Sequence, residues 1–259
     1  MGRKVTFVGK YVHLSFTEWK NPICLVMKKV IAFIPNLLTL CNLLSGCVAV
    51  SMLFLGADFV AAFWLVIAAA VFDFFDGFVA RMLHVSSPIG KELDSLADMV
   101  SFGVVPSVVV FTMLTQSLAG TSFEWLRFGG FLIAAFSALR LAKFNIDERQ
   151  HEEFRGLPTP ACTLFFVALP MLGWEWIATP ALLLGLTVVF SALLVCDMPM
   201  FSLKFKSFDF GNNRLRYVFL LLAVIFIVWL RMAAPAMIIL VYIVISTGRA
   251  LFFRPAVKG

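Results

Sequence analysis

Asp73-Phe74-Phe75-Asp76-Gly77-Phe78-Val79-Ala80-Arg81 is followed, across a short gap, by Gly90-Lys91-Glu92-Leu93-Asp94-Ser95-Leu96-Ala97-Asp98. Each stretch carries two aspartates and lies in an otherwise apolar run of helix length. Spacings of three and four place each pair on one face of its helix. Carboxylates at membrane depth are costly, and they are kept where something cationic binds or reacts. Two such pairs predict a site for more than one divalent cation.

The rest of the chain makes membrane depth the right frame. Its 259 residues are 61% hydrophobic and only 14% charged, with a mean hydropathy of +0.97. A soluble domain carries about a quarter of its residues charged. The composition predicts an all-α integral membrane protein, a bundle of about eight transmembrane helices over residues 36–55, 59–83, 91–116, 124–143, 159–174, 177–197, 215–231 and 233–250. Pro170 and Pro180 interrupt the fifth and sixth spans, which membrane helices tolerate when neighbours satisfy the freed carbonyl. Ahead of the first span, Asn21-Pro22 reads as a helix start with proline at the first position. That segment carries Lys28 and Lys29 and is expected to end at Pro35, as an amphipathic helix lying in the membrane interface. The organisation expected is residues 1–34 as N-terminus and interfacial helix, 35–197 as a six-helix core, and 198–259 as a loop plus two C-terminal helices.

Lysine and arginine set the orientation. With the N-terminus in the cytoplasm, nineteen of the twenty-one basic residues fall on the inner side and only Arg127 and Arg231 face out. Both termini are therefore expected in the cytoplasm, in an inner (cytoplasmic) membrane. The formal charge of +6 suits an anionic inner leaflet. Basic residues interleaved with aromatics for base stacking are absent, which argues against nucleic acid as a partner. The five cysteines form no C-x-x-C and read as small buried residues, and His13, His84 and His151 are scattered, so neither type suggests a metal site. The start Met1-Gly2-Arg3-Lys4-Val5-Thr6 fits a myristoylation pattern, but a chain that already spans the bilayer gains little from one acyl chain.

The short 84–90 connection makes the second and third spans antiparallel neighbours, so the two aspartate pairs can face one cavity in the inner half of the bilayer. Four carboxylates so close repel one another unless protonated or neutralised by cations. Oxygen ligands favour magnesium, manganese or calcium, and such ions can clamp a pyrophosphate during its displacement. Gly77 and Ala80 either let a flat ligand approach the helix backbone or let two helices pack closely. Gly90 is read as opening the turn into the third span. Interhelical hydrogen bonding explains one buried aspartate better than four. A cation-coupled transporter is the non-enzymatic alternative, but it would place the carboxylates nearer the midplane.

At these residues the chain resembles the CDP-alcohol phosphotransferase family, whose signature is D-x-x-D-G-x-x-A-R-x(8)-G-x-x-x-D-x-x-x-D. All eight fixed positions match: Asp73, Asp76, Gly77, Ala80, Arg81, Gly90, Asp94 and Asp98. The resemblance implies transfer of a phosphatidyl or related phosphoryl group from a CDP-linked donor to an acceptor hydroxyl, with release of CMP. It implies that Asp73, Asp76 and Asp94 hold divalent cations, magnesium or manganese and two in number. Asp98 would act as general base, also touching a metal. Gly77, Ala80 and Gly90 would belong to the donor site. Arg81 would contact donor or snorkel to the interface. A homodimer is implied in the same way.

Further blocks resemble the phosphatidylserine synthase branch of that family. They are Ile34-Pro35-Asn36-Leu37-Leu38-Thr39, Asp98-Met99-Val100-Ser101-Phe102-Gly103, Ala138-Leu139-Arg140-Leu141-Ala142-Lys143-Phe144-Asn145 and Gly156-Leu157-Pro158-Thr159-Pro160. The branch implies CDP-diacylglycerol as donor and L-serine as acceptor, and glycerol 3-phosphate or inositol phosphate is the alternative acceptor. Asn36 and Thr39, one helical turn apart, either contact the donor or cap a helix N-terminus. Arg140, Lys143 and Asn145 are the acceptor-side candidates, and Arg140 reads equally as a positive-inside residue. Lys143 stands where the branch more often has arginine, which costs it the bidentate fork for a carboxylate.

Overall fold

The computed structural model describes residues 22–85, 87–146, 156–173, 177, 179–198, 200 and 210–252. The basic stretch before Pro22, residues 147–155 with His151, and residues 201–209 lie outside them. Among the described residues there is no strand. The helices run α1 (Pro22–Gly56), α2 (Phe59–Met82), α3 (Pro88–Asp98), a π-helical segment (Met99–Val104), α4 (Val105–Ser117), a 3-10 segment (Glu124–Phe131) leading into α5 (Leu132–Ile146), α6 (Thr159–Ala168) with a 3-10 end (Leu169–Leu172), α7 (Pro180–Val195), α8 (Phe210–Leu230), and α9 (Ala234–Phe252). The chain is a multi-pass, all-α membrane protein.

Among the described residues, five stretches are long and apolar enough to cross a bilayer: Phe33–Gly56, Phe59–Met82, Pro88–Ser117, Glu124–Ile146 and Asn213–Arg249. The last is two helices. Arg231 takes a left-handed backbone, φ 47°, and α8 and α9 turn back to pack on each other. Thr159–Leu172 and Pro180–Val195 are shorter apolar helices, below the roughly 20 residues of an untilted span. Pro170 lies inside the first, where its α-helix gives way to the 3-10 end, and Pro180 opens the second.

The stretch Pro88–Ser117 is the axis of the bundle. Its most apolar window is 67% buried, against 17–28% for the other four. Val105, Val108, Val109, Val110, Met113 and Leu114 fill the centre beside Phe165, Phe166 and Phe190. Phe165 and Phe190 stack with ring centroids 4.1 Å apart. The outward faces stay apolar: Leu55 and Trp229 are 83% and 85% exposed, as lipid-facing side chains should be.

Two expectations fail here. The helix before the first span does not end at Pro35; α1 runs through it without a break. Proline removes one backbone donor and crowds the preceding turn, which bends a helix more readily than it stops one when apolar residues continue on both sides. With the helix unbroken, Asn36 and Thr39 are interior residues, and the capping alternative for them falls. Gly90 does not open a turn either: it lies in the first turn of α3. The cap is Ser87, whose hydroxyl oxygen accepts the Gly90 N–H at 2.9 Å.

The π-helical segment follows from Pro106. Proline has no N–H for the carbonyl four residues back, that of Phe102. The ladder slips to a wider pitch, with the Val105 N–H reaching Val100 O. Thr163 of α6 then offers a donor, its Oγ1 lying 2.7 Å from Phe102 O and 2.9 Å from Thr159 O in its own helix. Segments of this kind concentrate at functional sites, and this one begins immediately after Asp98.

Candidate active site

Helices α1, α2 and α3 meet around the aspartates. Asp76 is buried at 6% exposure, and Asp73, Asp94 and Asp98 are half-buried. One oxygen each from Asp73, Asp76 and Asp94 lies within 4.8 Å of the others. Three hard oxygen donors this close, in an apolar bundle, suit a divalent cation, which would neutralise the repulsion that burial intensifies. The Asp98 carboxyl stands outside that trio and meets Asp73 at hydrogen-bond range. The residues therefore fit a cation held by three aspartates with a fourth carboxylate at its edge.

Neighbouring side chains orient the carboxylates. Thr39 Oγ1 donates to Asp76 Oδ2 at 2.6 Å and also lies 3.1 Å from Pro35 O. One hydroxyl proton serves one acceptor at a time, and the short bond to the carboxylate is the stronger. Asn42 Nδ2 donates to Asp98 Oδ1 at 3.3 Å. The Asn42 carbonyl in turn accepts from Ser101 Oγ at 2.9 Å, on the π-helical segment.

A cavity of about 280 Å³ opens beside the trio. Asp76 and Asp94 form its acidic end. Asn36, Thr39, Gly77 and Ala80 line its walls, and Ser87, Gly90 and Lys91 close the side nearest α3. A Cβ on Gly77 would touch only Arg81 Nη1, at 3.7 Å. Among the described residues no neighbouring helix needs that space, so close packing within the chain does not account for Gly77, which leaves cavity volume free. Gly90 is the reverse case. A Cβ there would stand 2.9 Å from Ser87 Oγ and 3.0 Å from Asn36 Oδ1, so its bareness lets α3 approach α1. Arg81 is exposed at the end of α2.

The acceptor-side candidates separate. Arg140 donates from Nη1 to Thr159 Oγ1 at 3.0 Å and lies within electrostatic reach of Asp98. Lys143 instead pairs with Asp197 at 2.6 Å, the two side chains 37% and 65% exposed. Asn145 donates to Ser95 Oγ at 2.8 Å, and its carbonyl lies 3.5 Å from Lys91 Nζ. Neither Lys143 nor Asn145 lines the cavity. Asn42, Ser87, Lys91 and Ser101 were not singled out in the sequence. A signal for Asn42 was present: Asn36, Thr39 and Asn42 recur every third residue along one apolar helix, a polar stripe that membrane helices rarely carry without purpose.

A cavity beside a carboxylate trio that could hold a cation, within a bundle of apolar helices, marks a membrane-embedded protein with a polar site enclosed among its helices. The chain belongs to the CDP-alcohol phosphatidyltransferase family, which it matches over residues 32–198. It is 33% identical over 171 residues to a CDP-diacylglycerol–serine O-phosphatidyltransferase of Helicobacter pylori, covering 63% of this chain and 70% of that one. It is 35% identical over 141 residues to the Bacillus subtilis protein of that name, covering 53% and 75%. An archaetidylserine synthase of Methanothermobacter thermautotrophicus is 32% identical over 155 residues, covering 57% and 62%.

Proposed function

We propose that this chain transfers the phosphatidyl group of CDP-diacylglycerol to the hydroxyl of L-serine, giving phosphatidylserine and CMP. The observation that carries the reading is the Asp73–Asp76–Asp94 trio, with Asp98 beside Asp73 and the cavity beside Asp76 and Asp94. The choice of serine rests on the names of the relatives, bacterial and archaeal, which share that acceptor while differing in the lipid.

Asp73, Asp76 and Asp94 would hold magnesium or manganese, two ions in all, with Asp98 at the edge of the set. A divalent cation held by these carboxylates would supply charge neutralisation for a pyrophosphate and its leaving group. Asp98 takes the proton of the serine hydroxyl as its oxygen bonds to the phosphatidyl phosphorus and the phosphorus–oxygen bond to CMP breaks. Gly77 and Ala80 leave the cytidine room against α2, Asn36 and Thr39 border it from α1, and Gly90 lets α3 close on it. Lys91 and Arg81 offer positive charge at its rim. Arg140, near Asp98, receives the serine carboxylate, while Lys143 and Asn145 hold the end of α5 in place on the acceptor side. Most of the rate enhancement comes from alignment and electrostatics.

We further propose that all eight helical segments cross the inner membrane, with residues 22–34 of α1 at its surface and both termini in the cytoplasm. Serine and CMP would then exchange with the cytosol while the lipid tails enter between helices. Residues 35–197 would form the catalytic core and 198–259 a loop and hairpin beside it. A homodimer is the family's implication, and cross-linking in membranes tests it.

The deciding experiment is CMP release by purified protein given CDP-diacylglycerol, a divalent cation and one acceptor at a time. Release that needs both serine and metal supports the whole reading. Release with glycerol 3-phosphate or inositol phosphate instead keeps the chemistry and overturns the acceptor. No release from folded protein with any acceptor overturns the enzyme.

A further inference from the structure

We propose that Asn42 is the positioning residue for Asp98, and that Ser101 and Gly46 exist in their places to hold Asn42 there. The inference rests on the reading of Asp98 as the base.

Asn42 is fully buried, yet its amide makes a selective use of its hydrogen-bonding groups. Nδ2 donates to Asp98 Oδ1, while Oδ1 is buried with no hydrogen-bond partner among the described residues. A carboxyl that is to take a proton must first be in its unprotonated form, which accepts hydrogen bonds and never donates. In that form only the nitrogen end of Asn42 can serve Asp98, and Nδ2 is the atom that meets its Oδ1. Fixing Asp98 Oδ1 fixes the plane of the group, and with it the direction of the remaining lone pairs that must meet the acceptor's proton.

The backbone of α1 is held in register for this task. Ser101 Oγ donates to Asn42 O, and one turn further on a Cβ at Gly46 would stand 2.5 Å from Ser101 Oγ and 2.9 Å from its Cα. Any side chain at position 46 would push α1 off the π-helical segment and carry the Asn42 amide away from Asp98. Ser101 lies three residues beyond Asp98, on the stretch whose pitch departs from the α-helix. The base and its support are thus fastened to the same piece of backbone.

The test uses the full-length protein in detergent or nanodiscs with CDP-diacylglycerol, its divalent cation and whichever acceptor the wild type uses. Asn42→Ala should lower kcat about 10- to 100-fold, the usual loss when a group orienting a working side chain is removed. The KM for CDP-diacylglycerol and direct binding of that lipid should stay within about threefold of wild type, because the residue acts through Asp98 and not on the donor. Ser101→Ala should lower kcat less. The double variant should be no slower than Asn42→Ala alone, since both changes remove one device. If Asn42→Ala does not fold, the isosteric Asn42→Asp, which turns the donor into an acceptor, carries the same expectation. Wild-type kcat in folded Asn42 variants overturns the proposal, as does a loss confined to donor KM and binding, or multiplicative losses in the double variant. Asp98→Asn is the control: if it turns over normally, the base assignment itself is wrong, a failure seen separately from that of Asn42.

Discussion

Thr39, in the middle of one membrane helix, gives its hydroxyl proton to Asp76 on the next, across 2.6 Å. The donor sits 3% exposed and the acceptor 6%. No other side chain outside the aspartate cluster makes so short a bond to one of the four carboxylates among the described residues. Replacing Thr39 by the isosteric valine should weaken divalent-cation affinity about tenfold, as expected when a partner of a metal-binding carboxylate is lost. Titration of activity against manganese concentration reads this directly. An unchanged half-saturation point would remove Thr39 from the metal site.

The trio and the outlying carboxylate should fail differently. Asp73→Asn should weaken metal and donor binding together. Asp98→Asn should cut turnover by about 100-fold or more, the contribution of a positioned base, while metal-dependent binding of CDP-diacylglycerol persists. Binding measured in parallel with CMP release separates the two. Equal loss of binding in both variants would make Asp98 an ordinary ligand.

Gly77→Ala offers an unusual signature. Alanine favours a helix interior over glycine by about 1 kcal/mol, and the added methyl meets only Arg81 within 4 Å. The variant should melt no lower than wild type, yet bind donor more weakly because the methyl occupies the cavity. A protein both less stable and unchanged in donor KM would place the cavity elsewhere.

Arg140 and Lys143 are three residues apart and should behave as strangers. Arg140→Ala should raise the acceptor KM about tenfold or more, the cost of losing a charge-assisted bond at a partly buried site. Lys143→Ala breaks an exposed ion pair with Asp197, a contact worth less than about 1 kcal/mol. Its acceptor KM should remain near that of wild type. Acceptor saturation curves for the two variants decide between them.

The aspartate geometry was legible because it is local: spacings of three and four fix which residues share a helix face. The short connection between the two spans did the rest, and the carboxylates meet as that spacing required. What stayed hidden depends on partners distant in sequence. Pro35 carries the same local signal whether it ends a helix or is carried through one. The pitch change after Asp98 needed both Pro106 and a hydroxyl from Thr163, more than fifty residues away, and no hydrophobic period reports such a pairing. The separate fates of Arg140 and Lys143 were equally invisible, because both are cations near one helix end and only the folded chain supplies Asp197 to one of them.

The wider pitch between Met99 and Val104 leaves the two halves of the central helix out of phase. Each extra residue in a turn rotates everything beyond it by about 100° relative to a regular α-helix. The polar half, α3, can therefore aim its carboxylates at α1 and α2 while α4 presents its valines to a core lying in another direction. Deleting one residue from this short stretch would turn α3 by about 100° against α4, with Pro106 still lacking its N–H. It would also force a choice between a correctly seated core and a correctly aimed Asp98. The segment works as a phase shifter, and its length matters more to the chemistry than the identity of most residues in it.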